Sequence, residues 1–281
     1  MPKTLEDIII ERIQADGPMS VGDYMSLALG HPEHGYYMKQ DPFGRAGDFV
    51  TAPEVSQLFG EMIGVWVADI WKQMGAPKEF VLLECGPGRG TLMADILRAT
   101  KGIEGFHEAA RLHLLEISPV LKKMQADALK AHDPVWHKGV SSVPDDAPMI
   151  VMGNEFLDAL PFQQFVGGEE RKIDIQGDDL AFTLQGEVQE HAPVRENFVR
   201  EICARIIAQK GAALFIDYGH VKSGVGDTFQ AIKGHEYVDV FSHIGDADLT
   251  SHVDFEALQE NVQAQVHGPV EQGAFLKALG I

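Results

Sequence analysis

Cysteine is nearly absent from this sequence: 281 residues hold two, Cys85 and Cys203, each inside an apolar stretch. Thiols so placed exclude a disulfide-framed secreted scaffold and fit reduced side chains in a core. Long hydrophobic runs are missing as well, since no uninterrupted apolar stretch approaches the ~20 residues that a bilayer-spanning helix needs. Cations are scarce. Lys and Arg number 23 against 42 Asp and Glu, a formal net charge of -19. A surface of that sign repels a phosphate backbone, which excludes non-specific nucleic-acid binding. It would suit a cationic partner, although plain solubility explains acidity at least as well. Residues 1–13 interleave Glu6, Asp7 and Glu11 with isoleucines, unlike a secretory signal or an acid-poor transit peptide. The expectation is a cytoplasmic protein, and a chain of this length that is 45% hydrophobic can bury one substantial core.

What is present divides by pattern. Thr4 with Asp7 opens a helix whose stripe is Leu5, Ile8, Ile9 and Ile13, and Ser20 with Asp23 opens a short second one ending at Gly30. His31 to Val50 has no periodicity and reads as an irregular segment that covers a site. Thr51-Ala52-Pro53-Glu54 reads as a capping box, with Val55, Leu58, Phe59, Met62, Ile63, Trp66, Val67, Ile70 and Trp71 following at helical spacing. Gly60 and Gly64 in that helix would let a neighbouring element approach closely. The Met and Trp residues at 62, 66, 71 and 74 are assigned to packing.

Beyond residue 79, short apolar runs alternate with helical stretches. Strands are expected at 80–85, 112–116, 149–153 and 212–218, with helices at 91–100, 119–131 and 195–209. Continuous apolar strands separated by helices predict an α/β fold with a parallel, doubly wound sheet. Residues 169–184 alternate around Gly177-Asp178 and read as an inserted antiparallel hairpin.

Chemistry-bearing residues gather at the expected strand ends. Glu84-Cys85-Gly86-Pro87-Gly88-Arg89-Gly90 leaves the first of these strands and opens a helix at Thr91. Glycines there permit a tight turn and let a nucleoside cofactor approach the backbone. Glu116 ends the next strand, where a carboxylate can accept both ribose hydroxyls of a nucleoside cofactor. The third glycine falls one position earlier than in the G-x-G-x-x-G of dinucleotide sites, which disfavours a dinucleotide-dependent oxidoreductase without excluding it. Asn154-Glu155-Phe156-Leu157-Asp158-Ala159-Leu160-Pro161 follows another strand. Glu155 and Asp158 share a face if this segment starts a helical turn; alternatively Asn154 caps a turn and the carboxylates are solvated. His31 with His34, and His220 with His252, are pairs without a third ligand, and no metal site is expected from them.

The spacing E-x-G-x-G-x-G resembles that of class I S-adenosylmethionine methyltransferases. Together with Gly47 to Glu54, Asn154 to Pro161, Asp217-Tyr218-Gly219 and Thr250-Ser251-His252-Val253-Asp254-Phe255, it resembles the MidA-like family across the whole chain. That group includes a mitochondrial arginine methyltransferase needed for assembly of respiratory complex I. The resemblance implies a Rossmann-like sheet and S-adenosyl-L-methionine as cofactor, with Glu84, Gly86, Gly88, Glu116 and Asn154 around it. It places Asn154, Glu155 and Asp158 at the methyl-transfer site, with Glu155 and Asp158 as the catalytic pair, and the 47–54 segment over that site. The implied acceptor is a protein arginine, in a complex I core subunit for the mitochondrial relative. A non-catalytic assembly factor on the same fold is the alternative.

The expected organisation is an N-terminal helical and lid region over 1–78, packed on a methyltransferase domain over 79–281 with its insertion near 167–190. Members of the family usually continue beyond the equivalent of 272–276, so a C-terminal antiparallel strand is expected to be missing.

Overall fold

Every residue of Phe80–Cys85 is buried, and the strand alternates its side chains between two apolar layers. Phe80 and Leu82 enter one cluster with Leu112, Leu114, Ile150 and Met152; Val81, Leu83 and Cys85 enter another with Leu115, Met149 and Val151. Burial of such a side chain stabilises by about 1.5–3 kcal/mol, so a strand covered on both faces belongs at the centre of its sheet. It lies there in the computed structural model, which describes residues 3–39, 51–260 and 262–280. The sheet runs Ala212–Ile216, Met149–Asn154, Phe80–Cys85, Ala110–Leu115, Val135–His137, and all four pairings are parallel. Among the described residues it has these five strands. The short Val135–His137 strand was not expected from the sequence, because three residues with an exposed Val135 give no readable apolar run.

Helices Thr91–Thr100, Pro119–Ala128 and Pro193–Gln209 fall where the alternation puts them. The long helix expected after Thr51 differs. Ala52–Val55 forms one turn, Ser56 is extended, and a second helix runs from Gln57 to Gln73. Val55 and Leu58 are exposed, so two apolar positions counted in the stripe lie outside the packed face. Thr51 makes no side-chain cap and Glu54 is not its capping partner; Glu54 reaches Arg89 and Thr91 instead. Gly60 and Gly64 pack as expected: a Cβ there would stand 2.5 Å from Cβ of Asp95 and 2.9 Å from Cβ of Ala99.

The chain divides into two compact units. The one just described gathers Val50–Leu157, Phe198–Asp217 and Gln259–Ile281; the other gathers Met1–Phe49, Asp158–Asn197 and Tyr218–Leu258. This partition does not follow the expected boundary at 78/79, because packing, unlike sequence pattern, joins segments far apart in the chain.

In the other unit Thr4 caps Leu5–Asp16 through a complete capping box with Asp7, and Leu5, Ile9 and Ile13 are buried. Ser20 caps Val21–Gly30, accepting a hydrogen bond from the amide of Asp23. The expected hairpin forms, Glu169–Gln176 pairing antiparallel with Asp179–Phe182. It belongs to a larger antiparallel sheet containing Met19–Ser20, Gln163–Val166 and Val188–His191. A three-stranded sheet of Glu236–Val238, Gln230–Lys233 and Asp248–Thr250 completes the main framework. Its core joins Ile9, Tyr24, Met25 and Ala28 to Phe162, Ile173, Ala231 and Leu249. Of the segment expected to be irregular, Tyr36–Lys39 is helical and residues 40–50 lie outside the described residues.

No helix among the described residues is long and apolar enough to cross a membrane.

Candidate functional site

The chain leaves the central strand at Glu84 and Cys85 and turns through Gly86-Pro87-Gly88-Arg89-Gly90 into the helix at Thr91. Gly86 and Gly88 have φ of +63° and +52°, a region in which a Cβ is costly. Gly86 has a second reason to be glycine: its Cβ would stand 2.7 Å from Cδ2 of Phe156. The start of the following helix is held from the side by Glu54, which accepts from Arg89 Nη1 at 3.2 Å and from the Thr91 hydroxyl. In the strand just before the loop, Glu84 is buried and its Oε2 has no hydrogen-bond partner among the described residues. Burial pushes its carboxyl up to about 8.

Glu116 stands just beyond Ala110–Leu115, next to the glycine loop; the amide of Gly86 donates to the carbonyl of Leu115 at 3.1 Å. Its Oε1 accepts from the amides of Ile117 and Ser118, both at 2.7 Å, and its Oε2 from Gln125 Nε2 at 3.1 Å. Burial raises the Glu116 pKa, and those three hydrogen bonds with the nearby Lys122 oppose the rise. Gln125 Nε2 also donates to the carbonyl of Gly88 at 2.7 Å, so one amide joins two of the predicted cofactor residues.

Asn154 ends the Met149–Asn154 strand with its Oδ1 buried and without a partner among the described residues. The next residue does not start a helical turn. Glu155 has φ +47°, and its amide donates to the carbonyl of Ile216 at 2.8 Å. The amides of Phe156 and Leu157 donate to Asp217 Oδ2 at 3.2 and 2.9 Å. The expected common helical face for Glu155 and Asp158 is therefore absent, because Glu155 takes a left-handed conformation and the next two amides are held by Asp217 instead of opening a helical turn.

Asp158 is described with the other unit. It is buried, which raises its pKa, while a hydrogen bond with Tyr218 and the Arg195 charge oppose that rise. Arg195 is buried beside it and donates to the carbonyls of His252, Asp158 and Leu160 and to the Ser251 hydroxyl. The Tyr218 phenol is pushed well up by burial and then by Asp158. His31 Nδ1 accepts from the amides of Glu33 and His34, and His220 lies 3.5 Å from Asp254. Among the described residues no group of three or more His, Cys, Asp or Glu side chains could hold a metal ion.

The structure thus brings Glu84, Gly86, Gly88 and Glu116 to the carboxyl edge of one sheet, with Asn154 and Glu155 at the end of the adjacent strand. Residues 47–50 of the expected covering segment lie outside the described residues. Sequence reasoning missed Gln125, Asp217 and Arg195 as organising residues. For Gln125 a signal existed: it falls four residues after Leu121, on the buried face of its helix, where an apolar residue is the norm.

A glycine turn at the carboxyl edge of a parallel sheet, with a carboxylate at the end of the neighbouring strand, defines a nucleoside-cofactor-binding α/β domain. Residues 62–188 and 168–270 match the family model described as S-adenosyl-L-methionine-dependent methyltransferase. The chain is 36% identical to the Drosophila melanogaster "Protein arginine methyltransferase NDUFAF7 homolog, mitochondrial", covering 95% of this chain and 73% of the relative. It is 35% identical to the human "Protein arginine methyltransferase NDUFAF7, mitochondrial", over 97% of this chain and 72% of that protein. A Burkholderia thailandensis crystal structure bound to S-adenosyl-homocysteine superposes with a TM-score of 0.76 at 26% identity, covering 91% of this chain and 74% of that one. The chain belongs to the MidA-like family of class I S-adenosylmethionine-dependent methyltransferases.

It is a methyltransferase, and its methyl donor is S-adenosylmethionine. The dinucleotide alternative falls with that assignment. The expected cytoplasmic location is overturned, since these relatives are mitochondrial by name. A buried Cys85 thiol, a half-buried Cys203 thiol and an acidic first helix report on how the chain folds and carry no address.

The residues present fit the donor. The glycines at φ +63° and +52° keep side chains off the loop, and a buried carboxylate stands beside them. A buried carboxyl oxygen of Glu84 and an amide oxygen of Asn154 lack partners among the described residues.

Proposed function

We propose that this methyltransferase acts on an arginine side chain of a protein, and that its acceptor is a core subunit of respiratory complex I. The observation that carries the reading is 35–36% identity over 95% or more of the chain to relatives named protein arginine methyltransferases. The acidic net charge of -19 is compatible with a cationic acceptor segment but does not single one out.

The loop of Gly86 and Gly88 receives the adenosyl donor, with Glu84 just before it in the strand and Asn154 at its flank. Glu116 accepts from the ribose. A carboxylate offers about four lone-pair sites, and three are already taken by Ile117, Ser118 and Gln125, so Oε2 has room for one hydroxyl. The bound donor supplies a methyl on a positively charged sulfur, open to displacement. A guanidinium, with a pKa above about 12, is charged and delocalised, so its nitrogen is a poor nucleophile. Glu155 pairs with its N–H fork, draws the positive charge away from the attacking nitrogen and takes up the proton that nitrogen releases. Alignment of nitrogen and methyl provides most of the acceleration. Asp158 acts as a brace: its carboxyl engages Tyr218, and its backbone carbonyl is held by Ser251 and Arg195.

Mass spectrometry of complex I core subunits from cells with and without the gene tests this. A methylarginine is expected to vanish with the gene, return with the wild type and stay absent with Glu155→Gln. Unchanged methylarginine would remove the acceptor assignment. Single-turnover methylation tests Glu155 itself: with S-adenosyl-homocysteine binding retained, turnover should fall by about a hundredfold or more. Near-normal turnover would exclude Glu155 as the acceptor-orienting group.

A further inference from the structure

Gln125 is wholly buried, yet it is an amide, and all of its hydrogen-bonding groups are used. Nε2 donates to the Gly88 carbonyl at 2.7 Å and to Glu116 Oε2 at 3.1 Å, while Oε1 accepts from the Trp136 indole at 2.8 Å. A primary amide has two donor hydrogens and a carbonyl. Turned over, it would aim its oxygen at a carbonyl and a carboxylate and its NH2 at an N–H donor. Trp136 therefore fixes the way the amide faces, because each reversed contact would bury an unmet polar group.

The amide acts on two backbone regions at once. Glu116 Oε1 is already clamped by two backbone amides, and Gln125 takes Oε2, so the carboxylate plane is fixed. The bond to the Gly88 carbonyl fixes a peptide at a residue with φ +52°, where glycine alone would leave the chain free to swing. A neutral amide does this without cancelling the charge of Glu116. A lysine in its place would consume that charge as an ion pair and weaken its hold on a hydroxyl.

We propose that Gln125 is a positioning residue for the methyl donor, presetting Glu116 and the Gly88 peptide as a unit before the donor binds. The inference rests on reading Glu116 and Gly88 as donor contacts.

Isothermal titration of the ligand-free protein with S-adenosyl-homocysteine tests it on the wild type, Gln125→Met, Gln125→Glu, Glu116→Ala and Phe106→Leu. Gln125→Met keeps the volume and loses the bonds, so affinity should fall roughly ten- to a hundredfold. Gln125→Glu should bind worst at pH 8, where two carboxylates face each other, and regain affinity as the pH falls and one takes a proton. Phe106→Leu truncates the buried core of the same unit and should cost stability with affinity within about twofold, which controls for general loosening. In turnover, Gln125→Met should raise the donor KM while kcat at saturation holds, the mark of lost presetting of binding. Wild-type affinity in Gln125→Met, with Glu116→Ala weakened, would overturn the proposal alone; so would an equal loss in Phe106→Leu. Undiminished affinity in Glu116→Ala would overturn the reading beneath it.

Discussion

Single residues at the candidate site carry conflicting demands, and Glu84 shows how the balance can be measured. Its carboxyl is buried near the end of the central strand, and desolvation lifts its pKa from 4.5 to about 8. Near neutral pH the folded protein therefore holds it mainly protonated, able to donate one hydrogen bond. Because the folded value lies above the unfolded one, its contribution to stability is whole below about pH 4.5 and is lost as the pH rises through about 8. Urea titrations of the ligand-free protein should show stability falling from pH 7 to pH 9, above the window in which His113, His132 and His137 act in the opposite direction. Glu84→Gln, neutral throughout, should flatten that slope and unfold later than the wild type at pH 9. An unchanged slope would mean that another group titrates in this window. Gly86 is divided in another way. Its positive φ suits a cofactor-facing turn, but the Phe156 ring also occupies the place of its Cβ, so packing and binding forbid a side chain together.

At the scale of elements, local pattern predicted what depends on neighbours in sequence. Phe80–Cys85 and Thr91–Thr100 occur with the expected bounds because apolar continuity, the glycine turn and the helical stripe are all local signals. The glycine loop and Glu116 were legible for the same reason, as strand-end residues. The break at Ser56 was not, since Val55 and Leu58 satisfy a helical stripe numerically while lying exposed. Nor was the role of Gln125 or Asp217, whose partners are fixed only once separate elements pack. Packing also reverses an expectation from propensity. Gly→Ala inside a helix usually stabilises by about 1 kcal/mol. At Gly60 the new Cβ would stand 2.5 Å from that of Asp95, so Gly60→Ala should instead destabilise by about 1–3 kcal/mol. Gly273, in the helix Gln272–Leu279, has nothing within 4 Å of its would-be Cβ, so Gly273→Ala should follow propensity and stabilise. Chemical denaturation of both variants decides: a Gly60→Ala protein more stable than the wild type would refute close packing of Gln57–Gln73 on Thr91–Thr100.

At the scale of the molecule, the organisation cannot be read as successive pieces of chain. The expected boundary at 78/79 follows a real change of pattern, from helical stripes to alternating strands and helices. Yet the core around Leu5, Ile9, Tyr24 and Met25 is completed by Phe162, Ile173, Ala231 and Leu249. The helix Gln57–Gln73 likewise buries Phe59, Ile63, Val67 and Trp71 against Phe80, Leu92, Met93 and Ile96. A fragment of residues 1–78 would thus carry two incomplete sets of core side chains, each with its partners left on the remainder. Ordering a residue's backbone costs about 1–2 kcal/mol, and apolar burial is the main term that offsets it. Helices of this length are marginal in water without tertiary packing. The fragment 1–78 is therefore expected to lack a cooperative thermal transition and to give a narrow amide proton spectrum, whereas the full chain melts cooperatively. A dispersed spectrum with a sharp melt from 1–78 alone would restore the boundary at 78/79 and show that its helices form a self-sufficient core.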